Sequence, residues 1–244
     1  MSITKRQEKI LELICEEGFL TVAAISKITY TSPSSIRRDL AKLENMNLLK
    51  RTHGGAGVLN EINRAVPLEK RMSQNTIAKK RIAKKAEALI KDGQTIMLDG
   101  SSTASFLIPY IANHKDVTIF TNNMLTAINA INYGIKTHCI GGSSTNGSAA
   151  LSGEESYEAV MKIHPDILFF SSKSISEEGI ISDPTPEENF LRRLMIKNAN
   201  VKVFLCDSEK FNQRSIYTLI SLDEIDYAVF DIPYKNLKTK CKIL

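Results

Sequence analysis

Cysteine is scarce in this 244-residue chain, and the four present, Cys15, Cys139, Cys206 and Cys241, stand singly. No C-x-x-C pair exists to make a metal knuckle or a dithiol. Cys15, Cys139 and Cys206 each sit in an apolar run, so buried free thiols in a reducing cytosol are expected, without disulfides. The four histidines are equally scattered and show no H-E-x-x-H spacing, so no metal site and no catalytic residue is assigned. No apolar run approaches the roughly 18 residues of a membrane span, and the opening MSITKRQEKI lacks the apolar core of a signal peptide. A cytoplasmic location away from membranes is therefore expected. The absence of G-x-x-x-x-G-K-[ST] argues against a nucleotide P-loop, and there is neither an internal repeat nor a low-complexity tract. What remains is an ordinary globular composition, 43% hydrophobic and 24% charged. Its net charge of +5 permits a nucleic-acid or phosphate partner without requiring one.

The first 57 residues and the remainder differ in texture. Thr4 can cap a helix carrying Ile10, Leu11, Leu13 and Ile14 that ends at Gly18, and Thr21 can cap a shorter one with Val22, Ala24, Ile25 and Ile28 inward. Ser32-Pro33 is an N-cap followed by proline at the first helical position, opening a third helix that runs to about Asn45. Asn47 supplies a turn, Leu48 to Arg51 a strand, His53-Gly54-Gly55 a second turn, and Ala56 to Leu59 the return. Three helices and a hairpin within residues 1–58 make a winged helix-turn-helix pattern. Residues 59–75 are read as a linker, and residues 76–244 as a second domain. In that domain β-rich runs at 95–98, 117–121, 137–140, 166–170, 201–206 and 227–230 alternate with helical segments at 103–112, 125–132, 155–163 and 187–198. This is the signature of a mostly parallel α/β sheet.

At about 100° per residue, Ile36, Leu40 and Leu43 share one narrow face of the third helix and must pack inward. The opposite side presents Ser34, Arg38, Ala41, Lys42 and Asn45, flanked by Ser35 and Arg37. Small, basic and hydrogen-bonding groups in that arrangement suit the major groove, where arginine pairs with guanine and serine donates to phosphate. The wing adds Lys50, Arg51, His53 and Gly54, with glycines that admit close backbone approach. Glu8, Glu12, Glu16 and Glu17 crowd the first helix, so basic charge concentrates on the third helix and wing. A solvated helix face followed by a plain turn is the simpler alternative. Asp39 is expected to orient a neighbouring arginine rather than to touch DNA.

In the second domain, four post-strand loops carry small polar residues: Asp99-Gly100-Ser101-Ser102-Thr103, Thr121-Asn122-Asn123, Gly141-Gly142-Ser143-Ser144, and Asp207-Ser208-Glu209-Lys210. Ligands of open parallel sheets bind outside the C-terminal strand ends. The loop from Asp99 leads directly into a helix and can cradle a phosphate, with Lys210 supplying positive charge. Lys79, Lys80, Arg81, Lys84 and Lys85 read as the solvated face of a helix whose Ile77, Ile82, Ala83 and Ile90 point inward. Arg192 and Arg193 are expected at the surface or at a subunit contact, and Glu187 and Glu188 at a helix start.

The run SSIRRDLAKLENMNLLKRTHGGA resembles the signature of the DeoR family of bacterial transcriptional regulators, matching Thr/Ser-Ile-Arg-Arg-Asp-Leu at Ser35–Leu40 and Arg-x-His-Gly-Gly-Ala at Arg51–Ala56. Asn47 stands where that family usually has glycine. The resemblance implies a sensor domain similar in fold to ribose-5-phosphate isomerase that binds a phosphorylated sugar or related intermediate. It also implies that Asp99 with its Ser/Thr loop, Thr121-Asn122, Gly141-Gly142, Gly153 and Asp207–Lys210–Phe211 are sensor hallmarks. Two departures stand out. Ser101 replaces a loop glycine, and Ser171-Ser172-Lys173-Ser174-Ile175 replaces a glycine-rich run; there Lys173 either pairs with Glu177 or Glu178 or reaches the ligand. The expected protein is a repressor of a carbohydrate operon that binds double-stranded operator DNA, answers to a sugar phosphate, needs no cofactor and forms a homo-oligomer. The alternative is a sugar-phosphate isomerase with a basic appendage, recruiting Asp99, Asp207 and Lys210. Against it, no Asp-Gly-Ala-Asp-Glu-type segment is present.

Overall fold

The computed structural model describes residues 4–17, 19–46, 48–52, 54–57, 68–144, 149–235, 237 and 239–244, without the side chains of 15, 16, 50 and 68–70. Asn47, His53 and the return strand beyond 57 lie outside them. The chain divides into two compact units, Met1–Ala65 and Val66–Leu244.

The first unit begins with α1 (Lys5–Glu17), where Thr4 Oγ1 accepts from the Gln7 amide at 3.3 Å and the Gln7 side chain accepts from the Thr4 amide at 3.0 Å. This reciprocal pair satisfies two of the helix's orphan donors. Next come β1 (Phe19–Thr21), α2 (Val22–Thr29) and α3 (Pro33–Asn45), the helices capped by Thr21 and Ser32 as expected. The wing is β2 (Lys50–Thr52) and β3 (Gly55–Gly57). It is not a lone hairpin: β1 pairs antiparallel with β3, giving a three-stranded sheet in the order β1-β3-β2. At Gly55 a Cβ would run into the Leu20 carbonyl and the Phe19 ring, so the glycine is what lets β3 lie this close to β1. Ile10, Ile14, Val22, Ile25, Ile36, Leu40, Leu43, Leu49 and Ala56 form the core.

The second unit opens with α4 (Leu68–Ser73), inside the stretch expected to be a linker, followed by α5 (Thr76–Ala86). The linker reading is corrected there, since six residues were too few to show a helical period. β4 (Thr95–Leu98), short helices α6 (Ser102–Ser105) and α7 (Ile108–Ile111), β5 (Thr118–Thr121), α8 (Met124–Asn132) and β6 (Lys136–Cys139) come next. A hairpin of β7 (Ser143–Ser144) and β8 (Leu151–Ser152), α9 (Glu154–Met161) and β9 (Ile167–Phe170) follow. The remainder is β10 (Ser174–Ile175), β11 (Ile180–Asp183), α10 (Pro186–Asn198), β12 (Val201–Cys206), β13 (Tyr217–Ser221), β14 (Tyr227–Phe230) and β15 (Lys242–Ile243).

Seven strands form one sheet in the order β15-β14-β12-β9-β4-β5-β6, and every pairing in it is parallel. Chain order runs outward from β4 through β5 to β6, then restarts on the other side at β9. The sheet's switch point therefore lies between β4 and β9, where neighbouring loops leave in opposite directions and open a crevice. Alternation along the strands feeds two cores. Met97, Leu168, Phe170 and Phe204 face α9, α10 and the antiparallel β10-β11-β13 sheet, while Ile96, Leu98, Phe169 and Leu205 face α5, α6 and α7. Continuous apolar strands are what burial on both faces demands.

Several surface expectations change. Ile77 is exposed and Cys139 lies at the surface, whereas Cys206 and Cys241 are buried. Cys139 sits on β6, at the sheet's edge, which its apolar sequence neighbours did not reveal. Lys80, Arg81 and Lys84 are exposed, but Lys79 is buried, and its ammonium donates to the carbonyls of Arg71 and Gln74, tying α4 to α5. It also lies over the Phe106 ring.

Burial, followed by repulsion from Lys210, lowers the Lys79 pKa from 10.5 to about 8. The unfolded chain therefore keeps a proton that the folded chain has released, and stability at this site rises with pH across that window. In urea denaturation from pH about 7.5 to about 10.5, the stability of wild type relative to Lys79→Met should climb by about 2–3 kcal/mol. A difference that stays flat with pH contradicts the burial of this ammonium.

Candidate functional site

In the first unit the exposed face of α3 carries Ser34, Arg37, Arg38 and Lys42, with Ser35 half-buried and Ile36, Leu40 and Leu43 inside. Its orientation is fixed from behind. Asp39 is buried and accepts from Arg6 Nε at 2.7 Å and from Gln7 Nε2 at 3.0 Å, so the carboxylate clamps α3 to α1. The arginine that Asp39 holds is Arg6 on α1, and not a chain neighbour as expected. At the N-terminus the Ser32 hydroxyl lies 3.1 Å from that of Ser34 and donates to that of Ser35 at 3.0 Å. The wing is tied back by Glu44, which accepts from the Arg51 amide at 2.9 Å. Gly54 is exposed with φ +91°, and its carbonyl accepts from the Val22 amide at 2.8 Å. His53 and the Lys50 side chain lie outside the described residues.

In the second unit the four polar loops do leave the same end of the parallel sheet, but they do not form one site. Asp99, Gly100 and Asn122 line a crevice together with Arg71, Ala150, Ser152, Glu188 and Arg192. The crevice is narrow and opens to solvent at its mouth. Its frame is ionic. The buried Arg192 donates through Nε to Asp99 Oδ2 at 2.9 Å and through Nη1 to Asp183 Oδ2 at 2.7 Å, with Glu188 at 4.0 Å. Burial alone would lower the pKa of this guanidinium, but Asp183, Asp99 and Glu188 outweigh it and hold it above its ordinary value. Asp99 also accepts the amides of Ser101 at 3.1 Å and Ser171 at 3.3 Å, spanning the switch point. Asp183 accepts from the Ser172 hydroxyl at 2.6 Å and the Lys173 amide at 2.9 Å. Arg71 faces the same crevice, and burial pulls its pKa down against the opposing charges of Glu188 and Asp99.

The other expected residues are spent or stand elsewhere. Ser101 caps α6 by accepting from the Ala104 amide at 3.2 Å, and Ser102 and Thr103 are buried. Thr121 accepts from the Asn123 amide at 3.2 Å. Gly141 and Gly142 are exposed outside the crevice lining; a Cβ on Gly142, at φ +134°, would lie 2.8 Å from the Ser152 carbonyl. Asp207 lines a separate groove at the start of α5. Lys210 pairs with Asp207 at 3.1 Å and donates to the Ser171 hydroxyl at 2.9 Å, so it reaches the Asp99 network only through Ser171. Lys173 is exposed and forms no ion pair with Glu177 or Glu178 among the described residues.

The reading of Arg192 as a surface residue is corrected: it is the centre of the crevice. Its spacing from Met195 and Ile196, three and four residues on, placed it on the buried face of α10 and was the available signal. Arg193 donates to the carbonyls of Thr218 and Leu219. Asp183 and Arg71 carried no local signal of their roles.

A sequence profile described as the DeoR-like helix-turn-helix domain matches residues 6–62, and one described as the DeoR C terminal sensor domain matches residues 74–232. The chain is 34% identical to the HTH-type transcriptional regulator GolR of Listeria innocua, over 93% of this chain and 90% of that one. It is 30% identical to a putative aga operon transcriptional repressor of Escherichia coli O157:H7, over 96% and 89%. To the glycerol-3-phosphate regulon repressor of Escherichia coli K12 it is 26% identical, over 96% and 92%. Among solved structures it is similar to ribose 5-phosphate isomerase A from Methanocaldococcus jannaschii, at 21% identity and a TM-score of 0.43, covering 57% of this chain and 55% of that chain. With both its helix-turn-helix and its sensor region matched, and regulators along nearly its whole length as relatives, the chain belongs to the DeoR family of transcriptional regulators.

Proposed function

We propose that this regulator represses a carbohydrate operon and is controlled by a phosphorylated sugar bound in the crevice between the loops after β4 and β5 and helix α10. The observation that carries the ligand reading is Asn122. Its side-chain amide donates to the Leu151 carbonyl at 2.7 Å, while Oδ1 is buried with no hydrogen-bond partner among the described residues. A buried acceptor left unmatched is costly, and a sugar hydroxyl at this crevice would supply the missing donor. Arg71, in the same lining, supplies a cation for a phosphate. One relative is named a glycerol-3-phosphate regulon repressor, after a small phosphorylated metabolite.

In this reading Gly100 and Asn122 meet the ligand, Asp99 and Arg192 hold the frame, and Lys79 and Lys210 add positive potential behind it. Ser101, Ser102 and Thr103 shape the loop; Thr121, Gly141, Gly142 and Asp207 support neighbouring loops. Residues 1–58 read DNA, residues 76–244 sense, and α4 belongs with the sensor. On double-stranded operator DNA in the cytoplasm, Ser34, Ser35, Arg37, Arg38 and Lys42 enter the major groove, while Lys50, Arg51, His53 and Gly54 follow the backbone. One recognition helix reads too few base pairs for high specificity, so a homo-oligomer engages two half-sites. Ligand binding favours one arrangement of the sensors and thereby changes how the wings meet those half-sites. An isomerase reading is disfavoured because Asp99, the obvious base, is engaged by Arg192 and two backbone amides.

A gel shift on the gene's own upstream DNA, run against a panel of sugar phosphates, tests this. One compound should release the DNA, and Asn122→Ala should then need about tenfold more of it with ligand-free DNA affinity unchanged. No response to any compound contradicts the sensor reading. Arg38→Ala should cost about 1–3 kcal/mol of operator binding and relax base preference. Lys50→Ala should weaken binding to every sequence and reduce the salt slope by about 1. Unchanged operator affinity in Arg38→Ala contradicts the recognition-helix assignment.

A further inference from the structure

Between α2 and α3 the chain turns at Tyr30, whose φ of 49° and ψ of 37° lie in the left-handed region. Glycine or asparagine is the usual occupant of such a position, because a Cβ there crowds the backbone. A tyrosine gains nothing from packing at this spot. It is 96% exposed, and among the described residues its hydroxyl has no hydrogen-bond partner.

The turn itself is rigid. The Ser26 carbonyl accepts the amides of Tyr30 and Thr31, the latter at 3.1 Å, and the Ser26 hydroxyl donates to the Thr31 carbonyl at 2.6 Å. Thr31 Oγ1 adds a bond to the Thr29 carbonyl at 3.0 Å. A strained, locked backbone thus holds an unburied aromatic ring two residues before the Ser32 cap of α3. Strain kept at an exposed position points to a task outside the folded chain.

We propose that Tyr30 is a DNA-backbone contact, its phenol hydroxyl donating to a phosphate oxygen beside the N-terminus of α3 and its ring lying on the adjoining deoxyribose. This rests on the reading of α3 as the DNA-recognition helix. The serine-rich start of α3 and the positive end of its helix dipole already favour a phosphate at that end. Tyrosine adds a donor on a side chain with only two rotatable torsions, so little freedom is lost on contact. Being neutral, it displaces no counterion. Its contribution therefore differs from that of Arg38 or Lys42 in leaving the salt dependence of binding unchanged.

The test uses the full chain, with fluorescence anisotropy on a duplex from its own upstream region and on an unrelated duplex of equal length, at several salt concentrations. Tyr30→Phe should weaken both complexes by about tenfold with parallel salt slopes. Tyr30→Asn should weaken them at least as much while raising the melting temperature of the first unit by roughly 2–5 °C, because the strain is relieved. Binding of both duplexes within twofold of wild type by Tyr30→Asn would overturn the proposal. Loss confined to the upstream duplex would overturn the backbone assignment in favour of a base contact. If the wild-type chain bound neither duplex, the DNA-recognition reading of α3 would fall, and this contact with it.

Discussion

The guanidinium of Arg192 lies between two carboxylates that come from different sheets, Asp99 at the end of β4 and Asp183 at the end of β11. Each carboxylate also gathers backbone amides, from Ser101 and Ser171 in one case and from Lys173 in the other. Taking these charges out of water is expensive, and removing one member of such a buried set typically costs about 3–5 kcal/mol. The arrangement persists because each carboxylate has three hydrogen-bond partners, and it fixes the two loops that flank the switch point. Gly100, Asn122 and Arg71 occupy their positions around a floor that Arg192 holds together.

The first unit uses the same device at smaller scale. Asp39 is buried between α3 and α1 and joins Arg6 to Gln7, so the exposed residues of α3 are presented from a helix whose back is pinned. In both units an acid in the middle of a basic or serine-rich stretch is structural. Among the described residues, the polar groups without such a duty include Arg37, Arg38 and Lys42 on one unit and Asn122 Oδ1 on the other. Lys79 lies between these classes, buried to hold α4 on α5 yet close enough to Lys210 for their charges to repel.

Much of the fold was legible because its signals are local. Caps at Thr4, Thr21 and Ser32, the proline at the first turn of α3, and apolar runs at 95–98, 201–206 and 227–230 all report on nearest neighbours in the chain. The less legible parts are long-range pairings. β1 joins the wing through Gly55, β10, β11 and β13 assemble from separated segments, and β15 adds to the edge through two residues. The site divides in the same way. Asp99, Gly100 and Asn122 follow strands that the sequence reveals, so their loops could be placed at one sheet edge. Arg71 hid in a helix too short to show a period. Asp183 looked like any acid after an apolar run, and Arg192 next to Arg193 looked like surface charge until the inward positions of Met195 and Ile196 were known.

That Arg192 builds the crevice through which ligand controls DNA binding is tested most directly by Arg192→Lys. A lysine keeps the charge but, as a single point donor, cannot reach carboxylates on two strands with the fork of a guanidinium. The measurement is release of bound operator DNA as a function of the sugar phosphate that releases the wild-type chain. The variant should bind the DNA normally and need at least about tenfold more effector to let go, the equivalent of losing about 1.4 kcal/mol of ligand binding. A release curve superimposable on that of the wild type would contradict the account.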